Sequence, residues 1–551
     1  MLPRFTLPPA PWVLALLAAA FIIPGLLNHD LWKSQDAIGL GIVHGMAVSG
    51  DLIVPRIAGV TWLHDSPLYH WFALAFGMLF HFFMEFHAAA RLASGAFVAA
   101  AFVLIYVAAR DWSPQQEEIR EEEMRRTTAA AAMLLLLGSV GLMVHAHEAL
   151  PELASLAALC GAFAVLPRAV ERPVRAGIAF GVALGVAFLS ATWIAPAAVA
   201  IAVAIAHLAC REWRTRGGAS FLGAALVCCL LVSLTWPVAL ALRSSGAFAE
   251  WWGFTWQAQA PAAVNLRHLA TIGSWFVWPA WPLAIWAAWA LRRRLREPRL
   301  LVPGLAIVAM VALQIHWGPP QDKNFIPLLA PLALLAAPAV FTLRRGAVAA
   351  LDWFGALTFG FFAGLVWLGY AALTFGIPAP IARNFARIAP GFSGHFHLLA
   401  VIIAVILALA WIYLIFFTPF SPLRGVARWA GGIVLLWGTF ALLLMPWVDY
   451  QKSYRSVALQ LRSKIPVGAT CLAQRSLGVS QAAALDYHGG IRAQPFDFAK
   501  PEACPLVLVQ GSPQHELDAP AAVGTARWTK LADVGRPGDR AERYRLYRLG
   551  K

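Results

Sequence analysis

Long apolar runs separated by polar connectors dominate the first 447 residues of the chain. Thirteen of these runs reach, or nearly reach, the roughly 20 apolar residues that a helix needs to cross a bilayer. They lie at 11–27, 91–109, 128–144, 150–167, 176–190, 192–208, 219–241, 271–291, 300–316, 325–343, 352–375, 397–418 and 429–447. The pattern therefore predicts an all-α polytopic membrane domain over residues 1–447, with about 13 transmembrane helices.

Arginine-rich connectors alternate with connectors that are poor in Arg and Lys. The rich connectors lie at 110–126, 168–175, 211–216, 292–299, 344–345 and 424–428. By the positive-inside rule these connectors face the cytoplasm and the intervening ones face the periplasm. The alternation holds only if the apolar run 67–85 lies in the interface or re-enters instead of crossing. We therefore predict a multi-pass protein of the bacterial inner membrane, with the amino terminus inside and the carboxyl terminus outside.

The chain from residue 448 onward has a different pattern. Strand-like runs occur at 504–510 and 544–549, and apolar residues at helical spacing occur within 452–463. These features predict a small periplasmic α/β domain over 448–551. Cys471 and Cys504 both lie in this segment, and outside the cytoplasm they can form a disulfide.

Composition supports the membrane assignment and narrows the partners. Of the 551 residues, 60% are hydrophobic and only 13% are charged, whereas soluble domains have about a quarter charged. The net charge of +15 comes from Arg and Lys in short connectors and in the tail. In a membrane protein such an excess indicates topology and lipid contact, and we expect no nucleic-acid partner.

The first external loop, residues 28–90, is unusually long and polar for a connector between two apolar runs. It contains Asp36, His64, Asp65 and Tyr69, and polar groups beside a bilayer are costly unless water, ligand or chemistry uses them. Apolar residues at helical spacing predict a short helix over 36–48, lying on the membrane. The loop is therefore the first candidate for a functional site.

Further polar side chains are predicted on the same side of the membrane as this loop. A carboxylate beside an apolar cleft can act as a general base, cationic groups can bind phosphate, and histidines with carboxylates can hold a divalent metal. Each of the residues named next could instead have a purely structural role, as a helix cap, a turn residue or an interfacial anchor. The residues are His147, Glu148, Arg267, His268 and Lys323. Together they point to group transfer from a lipid-phosphate donor.

Three segments resemble the GT-C glycosyltransferases, in the branch of the protein O-mannosyltransferases and aminoarabinose lipid A transferases. The first is the loop with Leu31-Trp32, an acidic residue, a short helix, SGDLIVP and PLYHW. The second is Lys323 followed by NFIPLLAPLALLAAPA, and the third is DYQKSYRSVALQLR at 449–462. The resemblance implies thirteen spans, membrane-lying helices in the first loop and a periplasmic carboxyl-terminal domain.

The resemblance also implies an activity and roles for the residues. It implies transfer of a sugar, with inversion, from a polyprenyl-phosphate donor to lipid A or to another lipid, glycan or protein acceptor at the periplasmic face. Asp36 would be the catalytic base, and one divalent metal at His64 and His147 is left open. The substrate-binding residues would be Asp65, Tyr69, Glu148, Arg267, His268 and Lys323.

The sequence departs from the family pattern at several places, two of them in the first loop, and two alternatives stay open. Gln35-Asp36 stands where the family has an Asp-Glu pair, and Asp65 stands where it has a lysine. A homologue that binds the lipid carrier without turnover is one alternative. A transporter or flippase for a lipid-linked sugar is the other, although it requires midplane charges and repeated halves that the sequence lacks.

Overall fold

Helices make up most of the chain in the computed structural model, which describes residues 9–32, 35–112, 119–419, 421–469, 471–497, 500, 503–512, 528–539 and 541–550. The first twelve helices are α1 Pro11–Ile22, α2 Gln35–Ser49, α3 Leu68–Phe80, α4 Phe86–Asp111, α5 Ile119–Leu137, α6 Val140–His145, α7 Pro151–Val165, α8 Pro173–Ser190, α9 Ile194–Ala209, α10 Arg216–Ser233, α11 Thr235–Arg243 and α12 Ser245–Trp256. The next twelve are α13 Ala262–His268, α14 Ser274–Phe276, α15 Ala280–Ala290, α16 Pro298–Trp317, α17 Leu329–Ala336, α18 Arg345–Phe375, α19 Ala379–Ile388, α20 Leu398–Phe416, α21 Arg424–Leu443, α22 Met445–Lys452, α23 Arg455–Lys464 and α24 Val479–Gly489.

Every predicted apolar run contains helix, so the prediction of an all-α polytopic membrane fold is confirmed. Within the described ranges, eight helical segments are long and apolar enough to cross a membrane. Several other predicted spans are shorter, such as α1 and α9, so the count of thirteen stays a prediction. The run 67–85 forms the 13-residue helix α3, which is too short to span a bilayer of about 30 Å.

The membrane helices differ in how much of their surface is buried, and this difference shows how they are arranged. α17 and α21 are almost entirely buried by their neighbours, whereas the apolar side chains of α20 are mostly exposed. Apolar side chains need no protein cover where lipid surrounds them, so α20 lies at the periphery of the bundle. The centre of the bundle is formed by α4, α5, α7, α17 and α21, whose small and aliphatic residues make one continuous core.

The carboxyl-terminal segment forms a five-stranded sheet, as predicted. Its strands are β3 Leu472–Arg475, β4 Gln494–Pro495, β5 Leu506–Gly511, β6 Trp528–Val534 and β7 Arg543–Leu549, and β1 Arg56–Ile57 and β2 Val60–Thr61 form a hairpin in the first loop. The order is β4-β3-β5-β7-β6, with β3 parallel to β4 and β5, and β7 antiparallel to β5 and β6.

A disulfide joins Cys471 and Cys504, with 5.0 Å between their Cα atoms, so the pairing that the sequence allowed is confirmed. Cys471 directly precedes β3, and Cys504 lies two residues before the parallel neighbour β5. The bond therefore fixes the start of both strands.

The first loop lies between the membrane helices and the carboxyl-terminal segment. α2 packs directly on α24, where Gly41 lies against Ala483. Two other glycines of α2 permit close backbone contacts, because a Cβ at Gly39 would overlap the carbonyl oxygen of Ala149 and one at Gly45 would overlap that of Arg56. The predicted membrane-lying helix is thus covered by protein on three sides.

Candidate active site

A cavity of about 400 Å³ lies between the first loop and the ends of several membrane helices. This volume is within the range of small-molecule sites. Its wall combines aromatic rings with a small number of polar groups. The lining residues are Gln35, Ile38, Trp62, His64, Asp65, Ser66, Glu152, Phe188, Thr192, Trp193, Ile194, Trp251, Phe254, Thr255, Gln259, Trp317, Pro319, Pro320, Gln321, Lys323 and Asn324.

Three charged side chains meet in the wall of this cavity. Lys323 Nζ lies 3.0 Å from Asp65 Oδ1 and 2.9 Å from Glu152 Oε1. All three residues are buried, with Glu152 only 2% exposed. Burial alone would raise the pKa of Asp65, but the Lys323 ammonium outweighs it and holds that pKa below its usual value. With both carboxylates ionised, this triad carries one net negative charge.

Local structure explains why the three side chains converge. Lys323 is in the 3₁₀ turn Asp322–Phe325, and Glu152 is in the first turn of α7, directly after Pro151. A proline fits the first turn of a helix because the amide it lacks has no partner there. Asp65 ends the loop that leads into α3. Each charge is therefore placed by a chain segment at or just before the start of a helix.

Aromatic rings hold His64 at the cavity wall. Its imidazole lies between the ring of Trp62, at 4.1 Å, and that of Phe254, at 3.9 Å. Burial lowers the pKa of His64, which favours the neutral ring. Trp62 Nε1 also donates to Asp65 Oδ2 at 3.4 Å, so the aromatic wall is connected to the charged triad.

Asp36, the predicted base, lies in a separate buried ion pair. Arg91 donates to both of its oxygens, at 3.0 and 2.7 Å, and the amide of Ala149 donates to Oδ1 at 2.8 Å. Although burial opposes ionisation, the Arg91 charge holds the pKa of Asp36 below its usual value. The neighbouring Gln35 lines the cavity, whereas Asp36 is absent from its wall. The base role of Asp36 stays a prediction, and this geometry favours a structural role.

Tyr69 and Glu148, two predicted substrate-binding residues, take part in contacts behind the cavity wall. Ser94 Oγ uses its only hydrogen to donate to the backbone oxygen of Glu148. The Tyr69 hydroxyl must therefore be the donor in its 2.7 Å hydrogen bond with Ser94 Oγ. The Glu148 carboxylate pairs with His145 at 2.5 Å. Neither predicted residue lines the 400 Å³ cavity. Their substrate contacts stay predictions.

Arg267 and His268 lie at the end of α13, beside the turn that carries Lys323. His268 Nε2 is 3.1 Å from Asp322 Oδ1, and its ring stacks on Phe325. Arg267 is exposed. A π-helical segment, Leu269–Gly273, follows them directly. These two residues are therefore near the cavity without lining it.

The structure does not support the predicted metal site at His64 and His147. Both ring nitrogens of His147 lie close to backbone oxygens, with Nδ1 3.0 Å from that of Met143 and Nε2 2.8 Å from that of Phe21. Its ring also stacks on Trp437 and is almost fully buried. His64 lies in the cavity wall among aromatic rings. Since both nitrogens of His147 face backbone oxygens inside the packed core, neither is accessible to a metal, and this pair does not fit one.

Among the described residues, one other group has the ligand atoms for a metal: Asp30, Glu85 and His87, whose oxygen and nitrogen atoms lie within 4.8 Å of one another. A guanidinium already occupies this group, because Arg455 NH2 lies 2.7 Å from Asp30 Oδ1 and 2.6 Å from Glu85 Oε2. The group therefore does not fit a metal while Arg455 is in place, and it joins the first loop to α23 instead.

We expect EDTA to leave the melting temperature of the purified protein unchanged, since Arg455 supplies the positive charge at this group. The Arg455→Ala variant should melt at a lower temperature, and Zn²⁺ should then raise it, because carboxylates and histidine are zinc ligands. Thermal denaturation in detergent measures both effects. A loss of stability on adding EDTA to the wild-type protein would contradict this assignment.

The same junction contains a carboxyl group with a raised pKa. Asp449 Oδ1 accepts from the amide of Asp30 at 2.8 Å and from Trp32 Nε1 at 2.7 Å. Burial and the negative charge of Asp30 raise the pKa of Asp449 to about 6. The pKa of Asp30 itself is held at about 2, because hydrogen bonds from Arg455 and Ser453 outweigh the effect of its burial.

We expect Asp449→Asn to stabilise the protein more at pH 8 than at pH 5. A carboxyl whose pKa is higher in the folded state gains stability as the pH falls through that pKa. For a rise from about 3.9 to about 6 the gain between pH 8 and pH 5 is about 1.4 kcal/mol. Asn resembles the protonated form at every pH. Burial lowers the pKa values of His29 and His488 to about 4, so these residues change the stability of the protein with pH in the opposite direction. Their effect is the same in variant and wild type, so the difference between the two melting temperatures at each pH reports Asp449 alone. A difference independent of pH would contradict the expectation.

Sequence reasoning missed several residues of the cavity wall. Glu152 is the most important: the sequence offered it and Glu148 as acids of the same connector, and the prediction chose Glu148. Its position after Pro151, at the start of an apolar run, was the available signal. Gln35, Gln259 and Asn324 carry no charge, so they gave no such signal.

Comparison with known proteins gives a fold relationship and no sequence relationship. No protein-family description and no curated protein sequence matches the chain. The crystal structure of ArnT from Cupriavidus metallidurans bound to undecaprenyl phosphate is similar to it, with a TM-score of 0.67 and 18% identity over 97% of this chain and 98% of that one. The apo structure of the same protein gives a TM-score of 0.68 and 19% identity over 97% of each chain. The chain therefore has the fold of ArnT, in agreement with the architecture that the three sequence segments predicted.

Proposed function

We propose that the protein is a membrane glycosyltransferase that moves a sugar from a polyprenyl-phosphate donor to a cell-envelope acceptor at the periplasmic face. The observation that carries the proposal is the convergence of Asp65, Glu152 and Lys323 on one cavity between the first loop and the membrane helices. The fold is shared with a protein whose structure contains undecaprenyl phosphate, which supports a donor of this class.

In this proposal Glu152 is the general base. Lys323 is its ion partner, and neither carboxylate oxygen has a further hydrogen bond within the described residues. Asp65, in contrast, also accepts from Trp62. Glu152 is therefore the carboxylate with the most capacity to accept a hydrogen bond from an acceptor hydroxyl.

The proposed reaction is a single displacement. Glu152 takes the proton of the acceptor hydroxyl while that oxygen forms a bond to the anomeric carbon of the sugar. The bond between this carbon and the phosphate oxygen breaks, and polyprenyl phosphate leaves with the electron pair. Attack opposite to the leaving group inverts the anomeric carbon.

Two charges change during this step, that of Glu152 and that of the departing phosphate, and the Lys323 ammonium lies beside Glu152. Before transfer, the triad carries one net negative charge. When Glu152 is protonated the triad becomes neutral, at the moment when the departing phosphate gains negative charge. Interactions that strengthen only as the reaction proceeds are those that accelerate it. The aromatic wall around His64 would pack against the sugar.

The test uses full-length protein in lipid vesicles with a set of radiolabelled polyprenyl-phosphate sugars and an envelope extract as acceptor. We expect transfer by the wild type and a loss of about 10²–10⁴-fold in Glu152→Gln, the usual contribution of a general base. Glu250→Gln is the matched control, because Glu250 is exposed and outside the cavity wall.

The same assay distinguishes the alternatives. Retention of the donor without transfer would identify a protein that only binds the lipid carrier. Movement of the labelled donor across the vesicle membrane without transfer would identify a transporter. Full transfer activity in a correctly folded Glu152→Gln variant would contradict the assignment of the base.

A further inference from the structure

A second cavity, of about 280 Å³, lies at the other end of the membrane helices. Its apolar wall includes Trp112, Leu300, Leu334 and Phe341, and its polar rim includes Arg294 and Arg299. It shares no lining residue with the candidate active site. Arg91, which pairs with Asp36, and Trp112 are 21 positions apart along and just beyond α4, so at 1.5 Å per residue roughly 30 Å of helix separates that ion pair from the second cavity.

Two arginines and one glutamate set the charge at the rim of this second cavity. Arg294 Nε lies 2.5 Å from Glu297 Oε1, and Arg299 NH2 lies 2.7 Å from Glu297 Oε2. One carboxylate thus holds two guanidinium groups in place and neutralises one of their two charges. The rim retains one positive charge, and the exposed side of Arg294 is available to a further anion.

We propose that this cavity binds one anionic phospholipid of the membrane leaflet on the arginine-rich side. The phosphodiester of such a lipid carries a single negative charge, which matches the single excess positive charge of the rim. Its acyl chain would cover the apolar wall, which a soluble anion would leave exposed. Basic pockets between membrane helices commonly bind lipid head groups.

The surrounding connector supports a lipid over a soluble ligand. Residues 292–299 contain five arginines and one glutamate, at the boundary between the apolar ends of α15 and α16. Arg292 lies over the ring of Trp289, at 5.0 Å from its centroid. Tryptophan and arginine together are typical of the head-group region. The composition of this connector therefore fits the region where phospholipid head groups are concentrated.

The experiment measures binding of a phosphatidylglycerol with a photoreactive acyl chain to delipidated full-length protein in detergent. We expect a saturable adduct on peptides that contain Trp112, Leu300 or Phe341. Arg294→Gln/Arg299→Gln should weaken binding by roughly fivefold for each arginine removed. Arg292→Gln/Arg293→Gln removes the same charge outside the cavity wall and should retain most of the affinity.

A variant that gains binding shows that the loss of binding in the double-arginine variant comes from this site and not from misfolding. Glu297→Gln frees both guanidinium groups, so it should bind phosphatidylglycerol several-fold more tightly than the wild type. Thr128→Trp narrows the cavity and should reduce the adduct while the protein elutes normally in size-exclusion chromatography.

Three results would overturn the proposal. The first is equal loss of binding in the two double-arginine variants, which would indicate a diffuse charge effect. The second is equal labelling by phosphatidylcholine, which would indicate lipid contact without charge recognition. The third is displacement of the lipid by inorganic phosphate at equal concentration, which would indicate a soluble anion as the ligand.

Discussion

The Lys323→Met variant is expected to lose sugar transfer and to melt at a much lower temperature than the wild type. Lys323 is the cation between two carboxylates that are almost fully buried, at 3.0 Å from one and 2.9 Å from the other. Removing one partner of a buried ion pair typically costs about 3–5 kcal/mol, because the remaining charge has lost its compensation. Here Asp65 and Glu152 would also repel each other.

Two further variants show whether this effect is electrostatic. Lys464→Met is the matched control, since Lys464 is exposed on α23 and its replacement should change neither property. The triple variant Asp65→Asn/Glu152→Gln/Lys323→Met removes all three charges together and should recover most of the melting temperature without recovering transfer. A Lys323→Met protein that is as stable and as active as the wild type would contradict both the triad and its proposed role.

The Asp36→Asn variant is expected to be unstable in detergent, which distinguishes a structural role from a catalytic one. Arg91 is fully buried, and besides Asp36 it donates to the backbone oxygens of His29 and Asp30, at 2.7 and 2.9 Å. The asparagine side chain of this variant would keep one acceptor for Arg91 but would leave a buried guanidinium without a counter-charge. We expect a loss of stability of about 3 kcal/mol, the lower end for a broken buried pair.

Melting temperature and transfer rate must both be measured on this variant, with Glu250→Gln as the exposed control. If Asp36 holds the first loop in place, stability falls, and any protein that remains folded still transfers. If Asp36 is the base, the variant is as stable as the wild type and transfers nothing. The second result would restore the role that the sequence predicts for Asp36.

Much of the fold could be predicted from the sequence, because bilayer-length apolar runs and the distribution of arginine are local patterns. The helix predicted over 36–48 is present as α2, and the strands predicted at 504–510 and 544–549 are present as β5 and β7. The helical pattern of 452–463 corresponds to α23. In each case the signal lies within the segment itself.

The site was predicted less completely, because its contacts join distant parts of the chain. Asp65 and Lys323 were both predicted, yet their 3.0 Å contact spans 258 positions and has no local signal. Arg91 is the first residue of an apolar run, where nothing indicates that it neutralises Asp36. His147 resembles a ligand in sequence, but the contact of its Nε2 with the backbone oxygen of Phe21 appears only when α1 and the segment after α6 pack together.

The glycines of α2 have a consequence for how substrates enter the cavity. Side chains larger than hydrogen at Gly39 and Gly45 would overlap backbone oxygens of the connector at Ala149 and of the hairpin at Arg56. A helix in such close contact cannot slide or rotate without separating these surfaces. Gln35 and Ile38 therefore form a fixed part of the wall, and we expect any opening of the cavity to come from other lining segments, such as α12 at Phe254 and the segment at Pro319.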